Sequence, residues 1–368
     1  MSPRLPLSDI VQNLPPSVPF VGPETLERRH GRPLQVRIGA NESVFGVSPV
    51  AAAAMSDTVN KLWMYNDPEA YELKRALAAH HDIAAQRLHV GAGIDEILGD
   101  VVRIFANPGD RVVTSLGSYP TFNYHVHGYG ATLVEVAYVD DHTHLAGLAQ
   151  AAHDADARMA YLANPDNPMG TWHNGADVLG LLAELPEDCM LILDEAYADF
   201  APSAAIASMG IADPRLIRTR TFSKAHGMAG ARIGYAIAHE QVVAALNKVC
   251  NQFGVNRLAQ VGALASLGDT DFITSVVQQV ELGRREYARL AKDLGLGHID
   301  SATNFLNFDL GSGERARAAL AGLLARDVFI RMPGKPPGDR CIRVTVGTSS
   351  QRAVFADVFR ATLGTLPT

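Results

Sequence analysis

The chain has 368 residues, 47% of them apolar and 19% charged, and a net charge of −7. That length supports two domains with a sizeable core, and the apolar share excludes a disordered chain. Mild acidity offers no electrostatic reason to bind nucleic acid or an anionic membrane, and no apolar run reaches the roughly 18–20 residues of a membrane span.

Residues 1–36 are proline-rich and read as an extended arm with a short helix at Glu24–Arg29. They lack the apolar stretch of a secretory signal. Ala40-Asn41-Glu42 follows without periodicity. Ala51–Leu62 predicts an Ala-rich helix, Trp63 to Pro68 breaks it, and Ala70–His81 predicts the next. Val90-Gly91-Ala92-Gly93 opens a helix running to Phe105. Glycines before a helix N-terminus suit an anion, because the free N–H groups and the helix dipole point at it. Position 96 is Glu rather than Gly, so this is not the dinucleotide-binding fingerprint.

Strands and helices then alternate. Strands are expected at Arg111–Ser115, Thr132–Val136, Ala157–Leu162, Cys189–Leu193, Leu216–Thr221 and Ile233–Ala238, and helices at Tyr119–His127, Val178–Leu185 and Gln241–Phe253. Apolar strands alternating with helices predict an α/β fold with a mostly parallel sheet covered on both faces. Ligands of such sheets sit at the carboxyl ends of the strands. Asn167, Asp194 and Lys224 each fall at or just past a strand end. Farther on, a long helix places Val276, Val280, Gly283, Tyr287, Leu290 and Leu294 at spacings of three and four. With strands at Asn304–Leu310 and Cys341–Val346 and a helix at Arg315–Arg326, it predicts a smaller α+β domain. The expected division is an arm at 1–44 that is part of the small domain, a large domain at 45–255 and a small C-terminal domain at 256–368.

A lysine just past a strand end, in an apolar and glycine-rich setting, is a candidate nucleophile toward a carbonyl, because desolvation lowers an ammonium pKa. Thr221, Ser223 and Arg232 around Lys224 suit a phosphate, with two hydroxyls and one forked cation. Taken alone, Lys224 also fits a surface loop, Asp194 a turn cap, Phe122 a core position and Arg343 a surface ion pair. The cysteines Cys189, Cys250 and Cys341 form no CxxC pair, which predicts a reducing, cytoplasmic setting. His125/His127 and His142/His144 lack a third ligand at a recognisable spacing, and no metal site is expected.

Asn164-Pro165-Asp166-Asn167-Pro168-Met169-Gly170, Asp194-Glu195-Ala196-Tyr197 and Thr221-Phe222-Ser223-Lys224 with Arg232 carry a more specific signal. In their order and intervals the chain resembles fold-type-I, class I/II aminotransferases dependent on pyridoxal 5'-phosphate, and among them the histidinol-phosphate aminotransferase branch. The resemblance implies that Lys224 holds the cofactor covalently and moves a proton, that Asp194 pairs with the pyridine nitrogen, and that Tyr197 and Asn167 donate to the phenolic oxygen. It implies that Phe122 stacks on the pyridine face. The phosphate would rest on the N–H groups of Ile94 and Asp95 with Thr221, Ser223 and Arg232. Tyr65 would reach the cofactor phosphate of a neighbouring subunit, making a homodimer with shared sites.

On the substrate side the resemblance assigns Arg343 to a carboxylate, Arg331 to a substrate phosphate and Asn41 to the arm over the site. Phe20 stands where relatives carry a tyrosine whose hydroxyl helps hold that phosphate. Asp166 and Met169 depart from the family's NPNNPTG. The implied reaction moves an amino group from a small-molecule donor to a 2-oxo acid, with L-histidinol phosphate and 2-oxoglutarate as the leading pair. Phe20 keeps an aromatic or other amino-acid donor open. The cofactor residues leave an amino-acid (phosphate) decarboxylase open. A non-catalytic sensor of the same fold would carry an added DNA-binding domain, for which the strand pattern leaves no room.

Overall fold

The computed structural model describes residues 5–15, 20–210 and 213–366. Its strands are β1 (Val36–Arg37), β2 (Leu88–Gly91), β3 (Arg111–Ser115), β4 (Thr132–Val136), β5 (Met159–Ala163), β6 (Met190–Asp194), β7 (Leu216–Thr221), β8 (Gly234–Ile237), β9 (Gly297–Ile299), β10 (Phe305–Asp309), β11 (Val328–Phe329) and β12 (Cys341–Thr345). Seven of them form one sheet in the order β2-β8-β7-β6-β5-β3-β4. From β7 across to β4 the strands run parallel, and β8 is antiparallel to both its neighbours.

Period-two alternation divides the parallel strands between two helix layers. Met159, Tyr161, Met190 and Ile192 pack with Ile97, Leu98 and Val101 of helix Ile94–Phe105 and with Val126 and Leu246. Ala160, Leu162, Leu191 and Leu193 face the other way, toward helices Leu145–Asp154 and Gly175–Glu184. Both faces of β5 and β6 are therefore dry, and their polar chemistry is left to the strand ends.

The second body is the antiparallel sheet β12-β10-β9, with helices Thr270–Asp293, Gly313–Leu324 and Ser349–Leu363 packed on it. Tyr287, Phe308, Phe355 and Phe359 form its aromatic centre. The arm joins it: β1 pairs with β11, and Val36 and Ile38 enter this core.

The helix Arg257–Gly268 was not expected, and it moves the division between the bodies. Ala259 and Ala263 are buried with Leu73, Leu77 and Phe222 on the large-sheet side, so the cores part near Asp269 rather than at 255/256. Small residues around most of Arg257–Gly268 give no apolar stripe to read.

Candidate active site at the carboxyl ends of the parallel strands

One cleft is lined by Lys224, Asp194, Tyr197, Asn167, Ile94, Asp95, Thr221, Ser223 and Arg232. The order β7-β6-β5 sets three neighbouring strand ends side by side, which is why residues far apart in sequence meet here.

Lys224 is buried, and its Nζ donates to the carbonyl oxygen of Asn41 at 3.0 Å. Burial, reinforced by the nearby charge of Arg343, lowers its pKa to about 8. About a fifth of the amine is thus neutral near pH 7.4, against about a thousandth for an ordinary lysine. Asp194 ends β6. Its Oδ2 accepts from the Tyr161 hydroxyl at 2.7 Å and its Oδ1 from the Ala196 amide at 3.0 Å. Burial raises the Asp194 pKa, and these two hydrogen bonds oppose the rise. A carboxylate held this dry gains strongly from a cationic partner.

The Tyr197 hydroxyl accepts from Asn41 Nδ2 at 3.0 Å, and burial raises its pKa, so it stays protonated and free to donate. Asn167 Oδ1 accepts from Arg343 Nη1 at 2.6 Å, which leaves the NH₂ side of the amide as the donor.

The anion end is built on the N-terminus of helix Ile94–Phe105. Gly93, with φ +88°, lies so close beneath Arg232 that a Cβ there would come within 2.5 Å of Nη2. The glycine is what lets the guanidinium close over the helix end. The Thr221 and Ser223 hydroxyls sit 2.9 Å apart beside it. The Asp95 carboxylate is engaged by His125 at 3.0 Å, so it is its backbone that serves the cradle. An anion cradle, a buried amine and a buried carboxylate in one cleft fit pyridoxal phosphate: one partner each for phosphate, carbonyl and ring nitrogen.

Phe122 does not face this cleft, and the stacking role expected of it is corrected. It is fully buried, stacked on Tyr161 with ring centroids 4.3 Å apart and planes 14° apart. The helix begins at Pro120, so Tyr119 at the N-cap projects into the cleft while Phe122 turns inward. Burial pushes the Tyr119 hydroxyl up to about 12. Tyr65 is 78% exposed and packs on Phe253, outside this chain's own cleft.

An adjoining cavity shares Tyr119, Asn167, Tyr197 and Lys224 with the cleft and adds Phe20, Arg331 and Arg343. Arg331 and Arg343 are directly opposite in an antiparallel bridge, with their backbones exchanging hydrogen bonds of 3.3 and 2.7 Å. Like charges so paired repel, and Arg331 helps lower the Arg343 pKa, behind burial. The buried Arg343 Nε has no hydrogen-bond partner among the described residues. Arg331 donates to the Val21 carbonyl oxygen at 3.0 Å and lies 5.1 Å from the Phe20 ring centre. Asn41, in a left-handed conformation at φ +55°, lines this cavity and also links the parts: besides Lys224 and Tyr197 it bonds Thr345 and Asn304.

Tyr161 and the charge cluster behind Asp194 escaped the sequence reading. Glu195, 2% exposed, accepts from Arg218 at 2.6 and 3.0 Å and from Arg220 at 3.0 Å. The sequence carries one signal for it, Arg218-x-Arg220 on one face of β7; the pairing of β7 with β6, whose last residue is Asp194, comes from the structure.

Asp166, the departure in the Asn167 loop, has a local explanation. It accepts from the Met169 amide at 2.8 Å and the Tyr138 hydroxyl at 3.2 Å, and burial raises its pKa to about 7. A folded pKa above the unfolded value of about 4 makes the protein lose stability as pH rises from about 4 to 7. Asp166→Asn should flatten that part of the profile and raise the melting temperature at pH 8. Melting curves of both proteins from pH 4.5 to 8 test this, and parallel profiles would refute it.

The profile of the family "Aminotransferase class I and II" matches residues 34–359. A histidinol-phosphate aminotransferase of Roseiflexus castenholzii is 37% identical, covering 94% of this chain and 95% of its own. Histidinol-phosphate aminotransferase 2 of Carboxydothermus hydrogenoformans is 32% identical over 96% of this chain and 98% of its own. The crystal structure of histidinol-phosphate aminotransferase from Sinorhizobium meliloti in complex with pyridoxal 5'-phosphate superposes with a TM-score of 0.94 at 43% identity, covering 98% of this chain and 99% of that one. Aspartate aminotransferase from Thermus thermophilus with maleate, at 22% identity over 98% of this chain and 100% of its own, has the same fold with a TM-score of 0.82. With the lysine, carboxylate and anion cradle in one cleft, these matches establish that the chain belongs to the class I and II aminotransferases, enzymes that work through pyridoxal 5'-phosphate.

Proposed function

We propose that the chain transfers the amino group of L-histidinol phosphate to 2-oxoglutarate. The observation that carries this reading is the bridged pair Arg331 and Arg343 in the cavity beside Lys224. Two facing cations, one with a buried and unpartnered Nε, gain most from a multivalent anion between them. A phosphate ester and a dicarboxylic oxo acid both supply one. The substrate named in the R. castenholzii and S. meliloti relatives supports the same choice.

When bound, pyridoxal phosphate supplies the electron sink for breaking a bond at the substrate Cα. The chain does the rest. Arg331 and Arg343 fix the donor's anion. Lys224, with its pKa near 8, takes the Cα proton and returns it one position away. Asp194 keeps the ring nitrogen protonated, Tyr197 and Asn167 donate to the phenolic oxygen, and Tyr119 provides the aromatic wall. Phosphate binding falls to Ile94, Asp95, Thr221, Ser223 and Arg232.

The active form in this reading is a homodimer in the cytoplasm. The exposed apolar run Leu62, Trp63 and Tyr65, with Trp63 83% exposed, supports a second copy seated there. Tyr65 would then serve the partner's cofactor. Three unpaired cysteines suit a reducing compartment.

Titration of the holoenzyme with histidinol phosphate, phenylalanine, tyrosine, histidine and glutamate, followed by the cofactor's visible band, tests the substrate. Histidinol phosphate should discharge the band at the lowest concentration, and 2-oxoglutarate should restore it. Discharge by aromatic amino acids with no response to histidinol phosphate would overturn the assignment and make Phe20, which brings a bare ring to Arg331, the deciding residue. Release of carbon dioxide in place of an oxo acid would mark a decarboxylase.

A further inference from the structure

The substrate cavity has a wall that the arginine pair leaves unused. Asn123 lies four residues beyond Tyr119, hence on the same side of helix Pro120–Gly128. It lines the cavity, and its Oδ1 is buried without a hydrogen-bond partner among the described residues. Glu135, on the edge strand β4, lines the same cavity. Its carboxylate is 3.8 Å from Lys335 Nζ, and its side chain is 31% exposed. Lys335 arrives from the small body, and its stem crosses Gly117, where a Cβ would meet the Lys335 Cβ at 2.8 Å. Gly117, at φ +82°, thus makes room for the contact between Lys335 and Glu135 at the cavity mouth.

This wall presents two oxygen acceptors, one neutral and one anionic. A buried acceptor left without a donor costs free energy, and a ligand that brings the donor recovers it. A phenyl side chain brings none. A nitrogen heterocycle with ring N–H groups brings one when neutral and two when cationic. A distal anion on the ligand goes to the arginines instead.

We propose that Asn123 and Glu135 are specificity-determining residues, accepting hydrogen bonds from the ring nitrogens of an N-heterocyclic amino donor while Arg331 and Arg343 hold its anion. This rests on the aminotransferase reading of the site and names the groups that would select the donor's side chain.

The test uses holoenzymes of the wild type, Asn123→Leu and Glu135→Ala with two matched donor pairs: histidinol phosphate against phenylalaninol phosphate, and histidine against phenylalanine. Single-turnover discharge of the visible band gives kcat/KM for each. The wild type should prefer the N–H member of whichever pair it accepts. Asn123→Leu should cut that preference about ten- to hundredfold, mainly through KM. Glu135→Ala, at the partly exposed rim, should cut it about tenfold. The proposal is overturned if both members of a pair fall equally in both variants, if neither falls, or if the wild type prefers the phenyl member of both pairs. A wild type that uses histidine but not histidinol phosphate would refute the substrate assignment alone, and the amino-acid pair would still test the wall.

Discussion

Lys224→Ala should slow amino transfer by about 10²–10⁴-fold through the lost proton transfer alone, with loss of the covalent tie to the cofactor added to that. Lys224→Arg should not restore it, because a guanidinium stays protonated across the range in which the buried amine, with a pKa near 8, loses its proton. A stability signature separates this from unfolding. The folded pKa of Lys224 lies below its unfolded value of about 10.4, so between about 8 and 10 the unfolded chain binds more protons and wild-type stability gains a rising component with pH. The alanine variant should lack that component while keeping a normal melting curve at pH 7. Single-turnover kinetics with the best donor and denaturation at pH 7.5 and 9.5 make the check. Transfer at the wild-type rate would sink the mechanism.

Glu195→Ala should act on stability instead, by about 3–5 kcal/mol. The change strands Arg218 and Arg220, whose side chains are 3% and 14% exposed, without their shared counter-charge. Burial works to raise the Glu195 pKa, but the two guanidiniums outweigh it and hold the carboxyl below its ordinary value. The contribution is therefore present above the unfolded pKa of about 4.3 and fades as pH falls through the folded one. Denaturant midpoints for wild type and variant should differ fully at pH 7 and converge only as pH falls below about 4. A variant within 1 kcal/mol of wild type at pH 7 would mean that water or a neighbour replaces the glutamate. One residue earlier, Asp194→Ala should show the reverse pattern, with activity lost and less of the stability.

Much of this arrangement is legible in the sequence because it sits where strand periodicity stops. Leu216–Thr221 reads as a strand in full, and the residues just past a strand end can only be at the sheet's carboxyl edge, so Lys224, Asp194 and Asn167 could be placed together. Phe122 could not be placed. Whether it or Tyr119 meets the cleft depends on where Pro120 starts the helix and how that helix is rotated, which a YPTF tetrapeptide does not encode. The Ala- and Gly-rich helix Arg257–Gly268 is hidden for a related reason: with small residues on several sides, only its neighbours say which face is in. Glu195 was in plain view beside Asp194, but its role needs Arg218 and Arg220 on the adjacent strand, a pairing that local spacing does not reveal.

The pairing of β1 with β11 has a consequence for how the molecule comes to exist. Val36 is matched with Val328, and Leu88 with Ile237. At about 5–20 residues per second on the ribosome, the first strand waits on the order of 15–60 s for its partner. Throughout that time the arm has nowhere to dock, and for about the first half of it, roughly 7–30 s, the edge of β2 that β8 later covers is open to neighbouring nascent chains. Lys224 emerges well before Asn304 and Thr345, which anchor Asn41 above it. A nascent chain stopped after Arg232 would already contain the lysine, the carboxylate and the anion cradle, yet hold them under no roof. The period of greatest hazard for this protein lies in its synthesis, and chaperone demand should track the delay before residue 328 emerges.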